Sequence, residues 1–173
     1  IHDVAVGGST GSAINHAFKW TLAGGMVQLP PPPEHDSCEA MAINDLGDAV
    51  GWCATIVGDL YRAVLWPADG SPPILLGTVV GPFGPDQNSI AEDINNDRVV
   101  VGQSFTPSVS IHPFRWTAEE GIIDLRDRAP SWKQTGVWMN YPRGINNAKQ
   151  IVGEANWELQ ESHGFLLTPT AVI

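Results

Sequence analysis

The chain has 173 residues, with 9 Lys and Arg against 19 Asp and Glu and a formal net charge of −10. That balance repels phosphate backbones, which argues against nucleic acid and anionic membrane surfaces as partners. A hydrophobic fraction of 43% and a mean hydropathy of −0.06 describe a globular chain long enough to bury a core, and no apolar run nears the roughly 20 residues of a membrane-crossing helix.

In chain order, residues 1–37 carry three short runs, VAVGGS, HAFKWT and GGMVQL, each bounded by Gly, Pro, Ser or Asn. In the second run His16, Phe18 and Trp20 alternate with Ala17 and Lys19, the period of a strand with two unlike faces. Pro30 to Pro33 lack backbone donors and end any ladder there. Residues 38–88 hold CEAMAIN, AVGWCA, YRAVLW and PILLGT. Residues 89–139 repeat that order with SIAEDIN, VVVGQSF, HPFRWT and GIIDLR. Residues 140–173 hold YPRGIN, QIVGEANW and HGFLLT before a tail ending at Ile173.

Ile-Asn opens INDLGDAVG, INNDRVVVG and INNAKQIVG at residues 43, 94 and 145, a constant interval of 51. A repeat period near this length marks stacked β-units. Val-Gly recurs at Val6-Gly7, Val50-Gly51, Val101-Gly102 and Val152-Gly153. His16, Arg62, His112 and His163 open HAFKW, RAVLW, HPFRW and HGFLL. The expectation is an all-β chain of four-stranded antiparallel units of about 50 residues. There are four units, two of them incomplete: 1–37 lacks its opening strand and 140–173 its closing one. The chain starts at Ile1 without a basic and apolar leader, which fits a removed leader or the C-terminal part of a longer repeat protein.

HAFKW with its following Gly-Gly-Met and Leu29, the A-x-x-I-N-N to V-V-G hairpin, and the closing HGFLLTP resemble the HAF-repeat family of bacterial extracellular proteins. The resemblance spans nearly the whole chain. It implies propeller-like β repeats and export from the cytoplasm, and it implies no enzyme activity or catalytic residues. The chain departs from the pattern at Arg62 and Val64, where His and Phe are expected, and at Leu167, where Trp is expected.

Most repeated residues read as structural. Asn44, Asn95 and Asn146 precede a reversal, and Asn bonds its own backbone two residues on. Gly47 aligns with Arg98 and Lys149, so a positive φ there would strain two copies or demand a different turn. A metal ring of His16, His112 and His163 would have Arg62 in its fourth place, and no second ligand accompanies each histidine, so no metal or cofactor is expected. The acidic turns at Asp45/Asp48 and Asp93/Asp97 lack calcium-loop spacing. Cys38 and Cys53 flank the INDLGD turn, and a register pairing Ala42 with Ala49 sets them opposite each other, as a disulfide in an oxidising compartment requires. The aligned positions are Ser89/Ser104 and Asn140/Ala155.

Function is sought where the repeat breaks. The loop 127–141 holds Trp132, Trp138 and Tyr141, and Trp157 follows in the next loop. Loop aromatics of this kind stack on sugars or anchor a protein. Nucleophile-elbow, zinc-protease and phosphate-loop motifs are absent, and Glu119/Glu120 or Glu158/Glu161 would serve a glycosidase only if they faced each other across a cleft. The expected function is a non-enzymatic extracytoplasmic binding or scaffold module (secreted, periplasmic or cell-surface) for a protein or glycan, without a transmembrane segment. The alternative is a self-associating structural subunit of a larger surface assembly.

Overall fold

The structure, a computed structural model, describes residues 3–10, 14–57, 60–81, 84–106, 110–128, 138–156 and 161–169, with Trp138 described by its backbone alone. The first sheet is a meander of β1 (Val4–Thr10), β2 (Asn15–Thr21) and β3 (Gly25–Gln28). The second runs β4 (His35–Ile43), β5 (Ala49–Thr55), β6 (Tyr61–Trp66) and β7 (Ile74–Gly77). A ribbon of β8 (Val80–Gly81) and β9 (Gly84–Pro85) leads to the third sheet. That sheet comprises β10 (Asn88–Ile94), β11 (Val100–Phe105), β12 (Ile111–Thr117) and β13 (Gly121–Asp124). After the short helix α1 (Leu125–Arg128), β14 (Trp138–Ile145), β15 (Ile151–Asn156) and β16 (Ser162–Leu167) form the fourth. All pairings are antiparallel, so the chain is all-β, with four-stranded sheets in the middle and three-stranded ones at either end.

Each sheet packs on the next through one apolar layer. Ala17 and Val6 of the first sheet meet Ala40, Ala49, Val64 and Trp66 of the second. Val50 and Leu65 on the second sheet's other face meet Phe114 and Trp116 of the third. Val101, on the third sheet's far face, meets Phe165 and Leu167 of the fourth. The alternation is the strand period at work: Ala49 and Val50 are neighbours in sequence and face opposite layers. Among the described residues there are three such layers for four sheets, and none joins the fourth sheet back to the first.

The Val-Gly repeat has a steric cause. A Cβ on Gly102 would lie 2.1 Å from the Ile90 carbonyl oxygen and 2.7 Å from the Phe114 ring. Gly51 and Gly153 are equally closed by the Glu39 and Tyr141 carbonyls, at 2.0 and 2.2 Å. At all three positions the missing side chain lets the opening strand close over the glycine, and at Gly102 and Gly153 an aromatic ring closes there as well. Gly7 has no opening strand beside it, and a Cβ there meets only the Phe18 ring, at 3.1 Å.

The Ile-Asn turns are hairpin loops closed by Gly47 N–H to Asn44 O and Asn44 N–H to Asp48 O, both 3.0 Å, and repeated at Asn95 and Asn146. Gly47 has φ 90°, and Arg98 and Lys149 take the same left-handed place at 56° and 61°. All three copies therefore use one turn type, with strain in two of them. Asn44 Oδ1 accepts from Leu46 N–H and Asp48 N–H, at 3.1 and 2.9 Å, while its Nδ2 donates across the layer to Asn95 O at 3.1 Å. Asn95 repeats this onto Asn146 O at 3.1 Å. Beside them, Asp45 N–H donates to Asn96 Oδ1 and Asn96 N–H to Asn147 Oδ1, at 3.0 and 2.9 Å. The asparagines build their own turn and also lace each turn to the next.

Several expected registers shift at bulges. Ala42 pairs with Val50, not Ala49, and the bulge between Ala40 and Ala42 restores the register so that Cys38 still faces Cys53. Their sulfurs are bonded and their Cα atoms are 4.0 Å apart, closing a loop of 15 residues that is worth about 3 kcal/mol in the chain-entropy account. In the third sheet Ser89 and Ser104 hold these places, each bonding second-sheet or linker backbone instead of the other. In the fourth, a bulge at Asn140 puts Met139 opposite Ala155, so the buried Met139, and not Asn140, fills that position.

Gly102→Ala is expected to destabilise the fold by about 3 kcal/mol, because the clash is with backbone that has little room to move. Gly7→Ala should lose well under half of that, since one ring can shift. Thermal melts of the two variants side by side test this, and equal losses would refute the steric account.

Candidate functional site

The expected aromatic loop is shorter than its sequence suggests. Asp127 and Arg128 end α1, and Trp138 and Tyr141 belong to β14, because the strand that opens the fourth sheet starts at Trp138 and not at Tyr141. Trp132 and Trp157 lie outside the described residues, as does the Trp138 side chain. The strand pairing still places this end of the molecule. Trp138 is the Cα partner of Asn156, so the chain enters β14 and leaves β15 side by side, at the opposite end of the strands from the Asn turn. Trp157 is the residue directly after Asn156.

Tyr141 lies three positions along the same strand, opposite Glu154. The Arg143 guanidinium sits 5.0 Å from its ring centroid, a cation–π contact worth about 0.5–1 kcal/mol at an exposed site. Arg143 Nε donates to Glu154 Oε1 at 3.2 Å, and its Nη1 lies 3.7 Å from Glu92 Oε1. Gln103 Nε2 also donates to Glu92. Tyr141 is thus a half-buried strand residue held by a charged cluster that bridges the third and fourth sheets. Sequence reasoning treated it as a loop aromatic because the bulges between Met139 and Gly144 disguise the alternation of the strand.

The four landmark positions of the HAF-like runs do not converge on one point. His16 Nδ1 bonds Gln28 Nε2 at 3.1 Å, Arg62 donates to Tyr61 O and Gln87 O, and His163 Nε2 lies 3.6 Å from Glu161 Oε2. His112 is buried with Nδ1 2.9 Å from Asp86 Oδ2, close enough for an ion pair yet off the alignment a hydrogen bond needs. Ser104 is its Cα partner, so the residue types of an acyl-transfer triad meet here. Ser104 is wholly buried, however, and its hydroxyl accepts from Val79 N–H at 3.1 Å and donates to Asn88 O at 3.2 Å. That oxygen is committed to structure and reaches no substrate. Sequence reasoning missed this trio because Asp86 is outside the repeat.

The acidic turns are likewise occupied by the protein. Asp93 accepts from Ile94 N–H and, across the layer, from Ile145 N–H at 2.7 Å. Asp45 accepts from Asn96 Nδ2 at 2.8 Å, and Asp97 pairs with Lys149 at 3.0 Å. Glu120 is engaged by Arg115 and Arg128, and Glu158 lies outside the described residues. Among the described residues no group of three His, Cys, Asp or Glu side chains gathers at metal-holding distance.

Asp48 is the most constrained ionisable group of these turns. It is fully buried and takes two N–H bonds from Arg98, Nε at 2.8 Å and Nη2 at 2.7 Å. Ala68 N–H at 2.9 Å and Asn44 Nδ2 at 3.2 Å complete its shell. Burial pushes this carboxyl up, but the bonds from Arg98, Ala68 and Asn44 and the Arg98 charge together outweigh it and hold it below its ordinary value. The pair clamps the second sheet's turn to the third's.

No family model, curated protein or solved structure matches the chain. No helix among the described residues is long and apolar enough to cross a membrane.

Three outcomes follow from the Asp48 clamp and from the left-handed turn position. Because its folded pKa lies below the unfolded value of about 3.9, stability is fully present above that value and drains as pH falls from about 5 towards the folded pKa. Asp48→Asn should flatten that acid limb in melts taken across the range, and an unchanged slope would refute it. At the left-handed turn position, Arg98→Gly relieves strain but orphans a buried carboxylate, for a net loss of about 2 kcal/mol. Lys149→Gly gives up only an exposed pair and should leave stability level or raise it by about 0.5 kcal/mol, as denaturant titration would read.

Proposed function

We propose that the chain is a non-enzymatic, propeller-like binding or scaffold module of the HAF-repeat type, working outside the cytoplasm and contacting a protein or glycan through Trp132, Trp138, Tyr141 and Trp157. The observation that supports the reading is the pairing of Trp138 with Asn156, which sets the backbone of Trp138 at the end of the β14–β15 pair opposite the Asn146 turn. Tyr141, three positions inward, adds a ring already braced by Arg143. Aromatic side chains supply large contact area at low entropic cost. The polar groups of the repeat support the same conclusion by elimination, since the Asn turns and their carboxylates are engaged with one another. The Cys38–Cys53 bond favours an oxidising compartment.

A second reading, a structural subunit of a larger surface assembly, draws on a different observation. The first and fourth sheets each have a face that no other sheet covers among the described residues.

Glycan-array binding tests the first reading. A signal that falls at least tenfold in Trp138→Ala and Trp132→Ala, with melting unchanged, is expected for stacking aromatics, each worth about 1.4 kcal/mol or more. An array that stays silent, or a signal indifferent to both substitutions, ends the sugar reading. The protein-partner reading ends if photocrosslinkers at positions 132 and 138 capture nothing on the surface of the producing cell.

A further inference from the structure

Among the described residues each interior layer is one contact repeated. On one side stands a valine of the Val-Gly pair: Val6, Val50 or Val101. On the other stand two residues of the following sheet: Val64 and Trp66, Phe114 and Trp116, or Phe165 and Leu167. The repeat supplies a fourth member of each set, and these two lie at opposite ends of the chain. Val152 pairs with Leu166 on the face of the fourth sheet turned away from the third. They are 48% and 56% exposed, whereas Val50 and Leu65, their counterparts, are 0% and 1%. Phe18 and Trp20 alternate with Ala17 and Lys19, which face the second sheet, so they project from the first sheet's outer face. There they are only half-buried, beside an exposed Met26 opposite Trp20, while Phe114 and Trp116 are buried. The Phe18 ring already lies over Gly7 as Phe114 lies over Gly102, so its half of the contact is formed.

The lacing of the turns stops at the same place. Asn95 Nδ2 donates to the next unit, but Asn146 Nδ2 turns back to its own Gln150 Oε1 at 2.8 Å.

We infer that the two end faces are the separated halves of this one contact, and that the occupant of each is a second copy of this chain docked head to tail. The Val152/Leu166 face of one copy receives the Phe18/Trp20 face of another. The interface is heterologous, so it either closes into a ring or extends. The inference gives the assembly reading its partner and its geometry, and it is separate from what the loop aromatics bind.

The test is light scattering of the 173-residue chain and of two face variants, Trp20→Glu and Leu166→Glu. The parent is expected at a multiple of its 18.6 kDa mass. Each variant alone has lost one half of every contact and should run as a monomer. Mixed in equal amounts, each supplies the half the other lacks, and the mixture should form a one-to-one dimer. That recovery also shows that both variants are folded. A monomeric parent at the highest soluble concentration overturns both the inference and the assembly reading. A parent that assembles while both variants still assemble overturns the head-to-tail contact and leaves assembly through another surface. One variant associating alone while the other does not would mean a face pairing with itself, and failure of the mixture to pair would equally overturn the inference.

Discussion

The structure depends on what an asparagine can do with both ends of its amide at once. Its oxygen gathers two N–H groups of its own turn, and its nitrogen reaches the carbonyl of the next unit. A hairpin turn by itself is local. Stacked through these amides, each turn fixes where its neighbour must sit, and the strands that leave it inherit that spacing. The hydrogen bonds are shielded: Asn44 and Asn95 are buried, and a buried donor left unpaired would be destabilising by about 1–3 kcal/mol. The ladder therefore enforces alignment as well as supporting it.

The apolar layers follow from that alignment. With turns in register, Val-Gly falls at the same height in the second, third and fourth sheets, and in the second and third valine is directed at one neighbour and glycine opened to the other. Gly51, Gly102 and Gly153 tolerate nothing larger because the carbonyl of the opening strand already fills the space. Polar and apolar devices thus act on the same nine residues of each repeat. Asp48 and Arg98 add a third, a buried carboxylate whose charge is met by an arginine of the neighbouring unit's turn. Here the ion pair is evidence of specificity of neighbour more than of net stability.

Much of this was legible in the sequence because it is periodic. The all-β class, the antiparallel strand order and the facing of Cys38 and Cys53 all follow from landmarks recurring with strand alternation between them. What the sequence hid is non-periodic or three-dimensional. Bulges at Met41 and Asn140 add one residue without a composition signal, so Ala42 and Met139 changed partners. Arg98 and Lys149 stand where glycine would be expected, and only contact with the neighbouring turn shows what Arg98 gains there. The lacing role of Asn44 had one trace, the unchanging nine-residue span from Ile to Gly in three copies, which stacked turns require. Tyr141 reads as a loop residue because bulges scramble its period, and the Asp86, Ser104 and His112 trio draws on one linker and two strands.

A stacked repeat has an inherent difficulty at its ends, since each unit is built to cover and be covered. Solvent-adapted terminal units usually replace outward apolar residues with polar ones. This chain does so only in part. Its inner layers show that the repeat can accept a charge, because Lys19 and Arg115 stand where Leu65 stands in the second sheet. Yet the fourth sheet keeps Leu166 at that very place, with Val152 beside it, and the first sheet keeps Phe18 and Trp20. Polar substitution is thus tolerated where burial continues and missing where exposure would call for it. That is the reverse of what a terminal cap needs, and it is what a surface made to be covered by the same contact needs.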